Sequence, residues 1–185
     1  MKLFLTILVL TAALVAGAQP AQIILLRHAE KPADPANVHL APRGEQRARA
    51  LVTLLGRNSP FTTNAPVVAL YAAGVTSHGH SHRTGETLAP LSKDLGLSVH
   101  AAFDSDHYKL VADEILHQRA YRGKSVIICW THHDIADLAA ALGVKPKPAP
   151  WKEKIFDRLW LIDYSAPRPR LREVPQRLLK GDSAA

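Results

Sequence analysis

The sequence of 185 residues is nearly free of cysteine, since Cys129 is the only one. A single thiol cannot form an intramolecular disulfide, and it cannot supply the paired cysteines of a structural zinc site or a dithiol redox motif. The fold must therefore be stabilised by packing, and Cys129, inside an apolar run, is predicted to be a buried and inert thiol. With 47% hydrophobic and 21% charged residues, the chain has the composition of an ordinary globular protein, and its length suits one domain.

The N-terminal apolar run is short of the roughly 20 residues that a membrane-spanning helix needs, and no basic stop follows it. Lys2 precedes the run "LFLTILVLTAALVAG", and small residues stand at 16–18, where cleavage would occur. We predict that residues 1–18 are a secretory signal peptide rather than a membrane anchor. The mature domain would then cover residues 19–185, be periplasmic or secreted, and have no stable membrane insertion.

Basic residues outnumber acidic ones, which gives a formal net charge of +7. Many of them stand in "RPRLREVPQRLLKG" at residues 168–181. They are not interleaved with aromatic residues, and no nucleic-acid-binding motif is present, so we expect a solvated basic tail and no nucleic-acid partner. A basic surface would still attract anionic substrates.

Strand-like and helix-like segments alternate along the chain. The predicted strands are "QIILLR" (22–27), "APVVALYAA" (65–73), "KSVIICW" (124–130) and "FDRLWLIDY" (156–164). The predicted helices are "APRGEQRARALVTLLG" (41–56), "RTGETLAPLSKDLG" (83–96), "DHYKLVADEILHQRAY" (106–121) and "HDIADLAAALG" (133–143). This order predicts an α/β three-layer sandwich, in which a mainly parallel central sheet has helices on both faces.

Arginine and histidine follow three of the predicted strands. Arg27 and His28 end the first, Arg83 comes after the second, and "THH" at 131–133 comes after the third. Ligands of such sheets bind beyond the carboxyl ends of the strands, so these side chains are expected at one edge. Guanidinium groups match phosphate oxygens, and an imidazole can attack phosphorus, so the pattern indicates a phosphoryl group and needs no metal ion.

Four segments resemble the histidine phosphatase superfamily, the phosphoglycerate mutase-like group. They are "LLRHAEKP", "HLAPRGEQRARAL", "SHRTGETLAPLSKDLGL" and "VIICWTHHDIADLAAALG", and their order and rough spacing agree from about residue 22 to residue 164. The resemblance implies a phosphatase that hydrolyses phosphomonoesters without a cofactor, with a small phosphorylated substrate or inorganic phosphate as its partner. It implies that His28 becomes phosphohistidine, and that Arg27 and Arg83 bind the phosphate.

The resemblance also implies a second catalytic histidine, which is either His132 or His133. We favour His132, because the residues Ile135, Leu138, Ala139 and Leu142 then keep one apolar helix face toward the core. Choosing His133 would instead align "HD" with a carboxylate-bearing motif and make Asp134 the general acid.

A general acid must protonate the leaving oxygen, and the sequence offers several carboxylates for this role. We favour Asp106, which is expected to cap the helix that starts near His107. The alternatives are a purely structural role for Asp106, with Asp134 or Glu30 as the acid.

The loop "TSHGHSHRTGET" places His78, His80 and His82 at alternate positions, so on an extended chain they would share a side. No carboxylate or cysteine lies within the cluster, so we expect a lining of the pocket mouth rather than a metal site. Two alternative functions stay open at this point, a phosphate-binding domain without turnover and a histidine-rich metal-binding protein. The aromatic residues Trp130, Trp151 and Trp160 are expected to pack in the core or at the pocket rim.

Overall fold

The computed structural model describes residues 19–62, 65–75 and 81–183. The predicted signal peptide and the histidines His78 and His80 lie outside the described residues. No helix in these three ranges combines the length and apolar character that crossing a membrane requires.

A six-stranded sheet forms the centre of the fold. The strands are β1 (Gln22–Arg27), β2 (Val67–Ala72), β3 (Val99–His100), β4 (Ser125–Trp130), β5 (Arg158–Asp163) and β6 (Arg170–Pro175), in the spatial order β3-β2-β4-β1-β5-β6. The first four are mutually parallel, whereas β5 and β6 are antiparallel to their neighbours. The helices are α1 (Pro42–Leu55), α2 (Arg83–Leu95), α3 (Tyr108–His117) and α4 (Ile135–Ala141). The predicted mainly parallel α/β sandwich is confirmed.

Successive side chains of β1 point to opposite faces of the sheet, and both faces are buried. Ile23 and Leu25 belong to a core that includes residues of α3 and α4, while Ile24 and Leu26 belong to a core that includes residues of α1 and α2. This two-sided burial explains why β1 has an almost continuously apolar sequence. The three tryptophans lie in the first of these cores, and Cys129 lies fully buried in the second, as predicted.

The predicted limits of the helix at 106–121 were wrong, because α3 covers only Tyr108–His117. A 3₁₀ turn at Ser105–His107 precedes α3, and a second one follows at Arg119–Tyr121. Between α3 and this second turn, Gln118 has ψ 107°, which is extended backbone and ends the helix. The chain must leave the helix here in order to enter β4 only a few residues later.

The prediction of a solvated basic tail was also wrong for residues 170–175, because they form the edge strand β6. The backbone of β6 pairs antiparallel with β5, from Arg170 opposite Asp163 to Pro175 opposite Arg158. The side chains of Arg170 and Arg172 stay exposed. An edge strand can therefore carry many charges, because its backbone pairs while its side chains remain in water.

The residues after β6 are bound to α1 by a buried ion-pair network. The side chain of Arg47 donates hydrogen bonds to Asp182 Oδ1 (2.7 Å) and to Glu30 Oε1 (2.8 Å). Asp182 Oδ2 also accepts the backbone N–H groups of Leu178 and Leu179, at 2.9 and 3.0 Å. This network holds the C-terminal segment against α1 and against the loop that follows β1.

We expect Asp182→Ala to lower the free energy of unfolding by about 3 kcal/mol, because it leaves a buried guanidinium with one carboxylate instead of two. The hydrogen bond from Arg47 holds the pKa of Asp182 well below its usual range. The contribution is therefore complete above the unfolded-state pKa of about 4, and it is lost as the pH falls from there through the lower folded-state pKa. Urea unfolding at pH 7 and at pH 3 measures both effects.

The matched control is Asp113→Ala, because Asp113 is 74% exposed and pairs with His117 on the surface of its own helix. It should change the free energy of unfolding by less than about 1 kcal/mol. Equal losses for the two variants would contradict the structural role of Asp182.

Candidate active site

Four of the predicted site residues, but not Asp106, lie near the carboxyl ends of β1 and β4. Arg27 is the last residue of β1 and lies opposite Trp130, the last residue of β4. His28 continues this pairing, since its backbone N–H donates to the Trp130 carbonyl at 3.2 Å. Arg83 is the first residue of α2, and its charge lowers the pKa of both Arg27 and His28. The charge of His132, which follows β4, also lowers the pKa of His28.

His28 is a buried imidazole with one defined tautomer. It is 5% exposed, and its Nδ1 lies 2.7 Å from the carbonyl oxygen of Ala29. A carbonyl oxygen can only accept, so Nδ1 carries the proton, and Nε2 of the neutral ring keeps its lone pair. Burial, together with the charges of Arg27 and Arg83, lowers the pKa of His28 to about 3. The ring is therefore neutral and nucleophilic at neutral pH.

Arg27 has one edge of its guanidinium group bound and another edge without a partner. It is 1% exposed, and Nη1 donates to the backbone carbonyls of Glu153 and Ile155. The guanidinium carbon lies 4.0 Å from the ring centroid of Phe156, a cation–π contact. Nε and Nη2 are buried and have no hydrogen-bond partner among the described residues. Burial lowers the pKa of Arg27 to about 10, so the group remains protonated at neutral pH.

Two parallel N–H groups on one edge of a guanidinium match two oxygens of a phosphate or carboxylate. Buried donors without partners are costly and rare in native proteins. The Nε and Nη2 edge of Arg27 is therefore suited to binding an oxyanion.

Arg83 is held by the loop that precedes α1. Its Nε donates to the His39 carbonyl at 3.1 Å, and its Nη2 donates to the Asn37 carbonyl. The carboxylate of Glu86 fixes this loop in turn, with Oε1 at 2.5 Å from His39 Nδ1 and Oε2 accepting Leu40 N–H at 2.9 Å. Loop 37–40 and the first turn of α2 thus form one unit that positions the second arginine.

His82 is the one histidine of the predicted cluster that the structure describes. Its ring stacks on His39, with centroids 5.0 Å apart and planes 11° from parallel. Among the described residues, the group of His, Cys, Asp or Glu side chains close enough to share a metal ion is Asp104, Asp106 and His107, and His82 is not part of it.

Of the two adjacent histidines, His132 is the more buried. Burial, followed by the charge of Arg27, lowers the pKa of His132 to about 4, whereas the side chain of His133 is exposed. The two rings are 3.8 Å apart. The residues Ile135, Leu138, Ala139 and Leu142, which the choice of His132 requires to face the core, are all fully buried.

Asp106 lies in the 3₁₀ turn before α3, with its side chain 79% exposed and 3.2 Å from His107 Nδ1. The predicted cap was wrong, because His107 occupies the N-cap position of α3. The turn is bound to the end of β4, since Trp130 Nε1 donates to the Ser105 carbonyl at 3.0 Å.

The other two predicted carboxylates have structural partners. Asp134 accepts a hydrogen bond from Thr131 Oγ1 at 2.8 Å, directly before α4. Glu30 accepts hydrogen bonds from Arg43 and Arg47. Neither carboxylate has a hydrogen bond to Arg27 or His28 within the part of the chain that the structure describes.

Three residues of this site were not predicted from the sequence. Thr87 Oγ1 accepts the Ala29 N–H at 2.9 Å and donates to the Arg83 carbonyl at 2.6 Å, so it joins the loop after β1 to α2. Thr87 belongs to the segment "RTGET", where the resemblance could have indicated it. Phe156 and Glu153 lie in the loop before β5, whose sequence has no pattern that marks them.

Comparison with solved structures identifies the fold. The chain matches an alpha-ribazole phosphatase from Shigella flexneri with a TM-score of 0.58 and 16% identity, over 85% of this chain and 98% of that one. It matches a mycobacterial glucosyl-3-phosphoglycerate phosphatase in complex with inorganic phosphate with a TM-score of 0.55 and 16% identity, over 83% and 95%. It also matches the protein histidine phosphatase SixA complexed with tungstate with a TM-score of 0.54 and 15% identity, over 84% and 97%.

These matches confirm the predicted phosphoglycerate mutase-like α/β fold. Neither the protein-family models nor the curated proteins gave a match.

Proposed function

We propose that this protein is a phosphatase of the histidine phosphatase superfamily, which hydrolyses phosphomonoesters through a phosphohistidine intermediate on His28. The observation that carries the proposal is the pair of buried, unpartnered donors Nε and Nη2 of Arg27, directly beside a neutral imidazole whose Nε2 keeps its lone pair. The first group suits the oxygens of a phosphoryl group, and the second suits its phosphorus.

The reaction has two steps. In the first, His28 Nε2 attacks phosphorus, the phosphorus–oxygen bond to the alcohol breaks, and a general acid protonates the leaving oxygen. Arg27, Arg83 and His132 lie around the phosphoryl oxygens and stabilise their charge in the transition state. In the second step, water attacks the phosphohistidine, inorganic phosphate leaves, and neutral His28 is restored. The sequence predicted Asp106 as this acid, but its side chain is 79% exposed and lies beside His107.

The two arginines supply the positive charge that a metal ion supplies in many other phosphoryl-transfer enzymes, so we propose a metal-independent reaction. The structural neighbours support the proposal, because their names are those of phosphatases and two of them contain inorganic phosphate or tungstate. We further propose a small phosphorylated substrate, and export to the periplasm or the medium after removal of residues 1–18.

Turnover of 4-nitrophenyl phosphate by the purified protein tests this function. We expect release of nitrophenolate at a rate that excess EDTA leaves unchanged, because the proposed site binds the phosphoryl group through arginine and histidine alone. Binding of inorganic phosphate without turnover would support the phosphate-binding alternative instead. Loss of turnover in EDTA, with recovery on adding back a divalent cation, would contradict the metal-independent reaction.

A further inference from the structure

The loop before β5 places a carboxylate beside the residues that are proposed to bind the phosphoryl group. We propose that Glu153 is the acid–base group of the reaction, and that it protonates the leaving oxygen and then deprotonates the attacking water. This inference rests on the proposed phosphatase function.

Glu153 contacts both the first arginine and the loop that carries the nucleophile. Its backbone carbonyl accepts a hydrogen bond from Arg27 Nη1. Its side-chain Oε1 lies 3.1 Å from the Nζ of Lys31, three residues beyond His28. Burial lowers the pKa of Arg27 and of His132, and the negative charge of Glu153 partly opposes this lowering in both groups.

The loop that carries Glu153 is anchored on either side of it. Trp151 Nε1 donates to the Ile155 carbonyl at 2.8 Å, and the Trp151 ring packs 4.8 Å from that of Trp160 on β5. Phe156 contacts the guanidinium group of Arg27. The carbonyls of Glu153 and Ile155 therefore fix the backbone of this loop beside Arg27, while 63% of the Glu153 side chain stays accessible to substrate and water.

The carboxylates predicted from the sequence are less well placed. Asp106 points into solvent beside His107, and Asp134 is bonded to Thr131. Glu30 is held in the buried network with Arg47.

The proton balance of the two steps is complete. Lys31 lowers the pKa of Glu153 by a hydrogen bond and by its charge, so the free protein holds Glu153 as a carboxylate at neutral pH. A phosphomonoester that arrives as its monoanion carries one proton, which passes through Glu153 to the leaving oxygen as that bond breaks. Glu153, again a carboxylate, then takes a proton from water, and the hydroxyl group formed bonds to phosphorus as the nitrogen–phosphorus bond breaks. Glu153 then passes this proton to the departing phosphate and is a carboxylate again. The products are an alcohol and inorganic phosphate.

The test is a series of phosphate monoesters whose leaving groups range from 4-nitrophenol to simple alkyl alcohols. We expect Glu153→Gln to reduce kcat/KM for alkyl esters by roughly 10² to 10⁴, the range typical of a general acid. The loss for 4-nitrophenyl phosphate should be only a few-fold, because nitrophenolate leaves without a proton. A similar loss for every ester would overturn the proposal.

A second measurement reports the base step directly. With 4-nitrophenyl phosphate, rapid mixing of Glu153→Gln should show a burst of about one nitrophenolate per active site, since the phosphohistidine forms but its hydrolysis is slow. A purely structural role for Glu153 would slow both steps and would produce no burst. Absence of the burst, together with equal losses across the esters, rejects the role of Glu153.

Lys31→Gln is the matched control, because it breaks the same ion pair but leaves the carboxylate in place. It should change kcat/KM by a similar factor for every ester. Asp106→Asn tests the competing assignment, in which Asp106 is the general acid. A dependence on the leaving group in that variant alone would overturn the proposal for Glu153. Failure of the wild-type protein to hydrolyse any ester would instead reject the phosphatase function itself.

Discussion

His28→Ala should reduce the turnover of 4-nitrophenyl phosphate by roughly 10⁴-fold or more, the scale seen when an enzyme loses its nucleophile. The reason is that Nε2 of His28 is the only atom in the proposed reaction that bonds to phosphorus in the first step. An alkaline quench during turnover of ³²P-labelled substrate should trap base-stable, acid-labile label on the wild-type chain and none on the variant. Label on serine or aspartate would contradict the mechanism.

The variant must be shown to fold, because His28 is buried. Its circular dichroism spectrum and cooperative urea unfolding should resemble those of the wild type, with a modest loss of stability. The control His117→Ala removes an exposed histidine on α3 and should leave turnover within about two-fold. A folded His28→Ala protein with normal turnover would exclude His28 as the nucleophile.

Arg27→Lys should reduce kcat/KM by roughly 10² to 10³, a magnitude typical of losing a donor that stabilises transition-state charge. Lysine keeps the positive charge but presents a point charge in place of a planar fork, so it cannot reproduce the paired donors Nε and Nη2 or the stacking on Phe156. Competitive inhibition by inorganic phosphate should weaken in parallel, since the same two donors are proposed to bind it.

Arg43→Lys is the matched control for this change. Arg43 is an exposed arginine on α1 that pairs with Glu30 and Asp182, so its replacement should leave kcat/KM and phosphate inhibition within about two-fold. If Arg27→Lys behaves like Arg43→Lys, the proposed role of Arg27 in binding the phosphoryl group is wrong.

The parts of the fold that the sequence predicted well are those buried on both sides. Strand β1 was predicted with the same limits as the structure shows, because a parallel strand covered on both faces must be almost continuously apolar. Helix α2 was predicted to stop at Gly96, and the structure has Gly96 in the left-handed conformation, with φ 70°, that favours glycine. Strand β6 was missed because its charged, half-exposed side chains do not alternate as a strand with one buried face does.

For the site, too, residues with a local sequence signal were predicted, whereas a residue placed by a long-range contact was not. Arg27, His28, Arg83 and His132 could be proposed because each stands directly after a recognisable strand or at the start of a helix. The contact of Glu153 with Arg27 joins residues 126 positions apart, in a loop whose backbone carbonyls rather than its side-chain pattern determine the geometry. No local sequence signal corresponds to such a contact.

The position of β1 in the sheet has a consequence for the order in which the chain is made. This strand comes first in the sequence, yet its neighbours are β4 and β5, so its backbone is paired on both edges only once the chain has been made as far as Asp163. Until then the apolar segment from Ile23 to Leu26 is an open strand, the kind of segment that aggregates during slow, non-local folding. Arg27 and His28 directly follow this segment, so they are made early but reach their final surroundings only after the loop that carries Phe156 has been made.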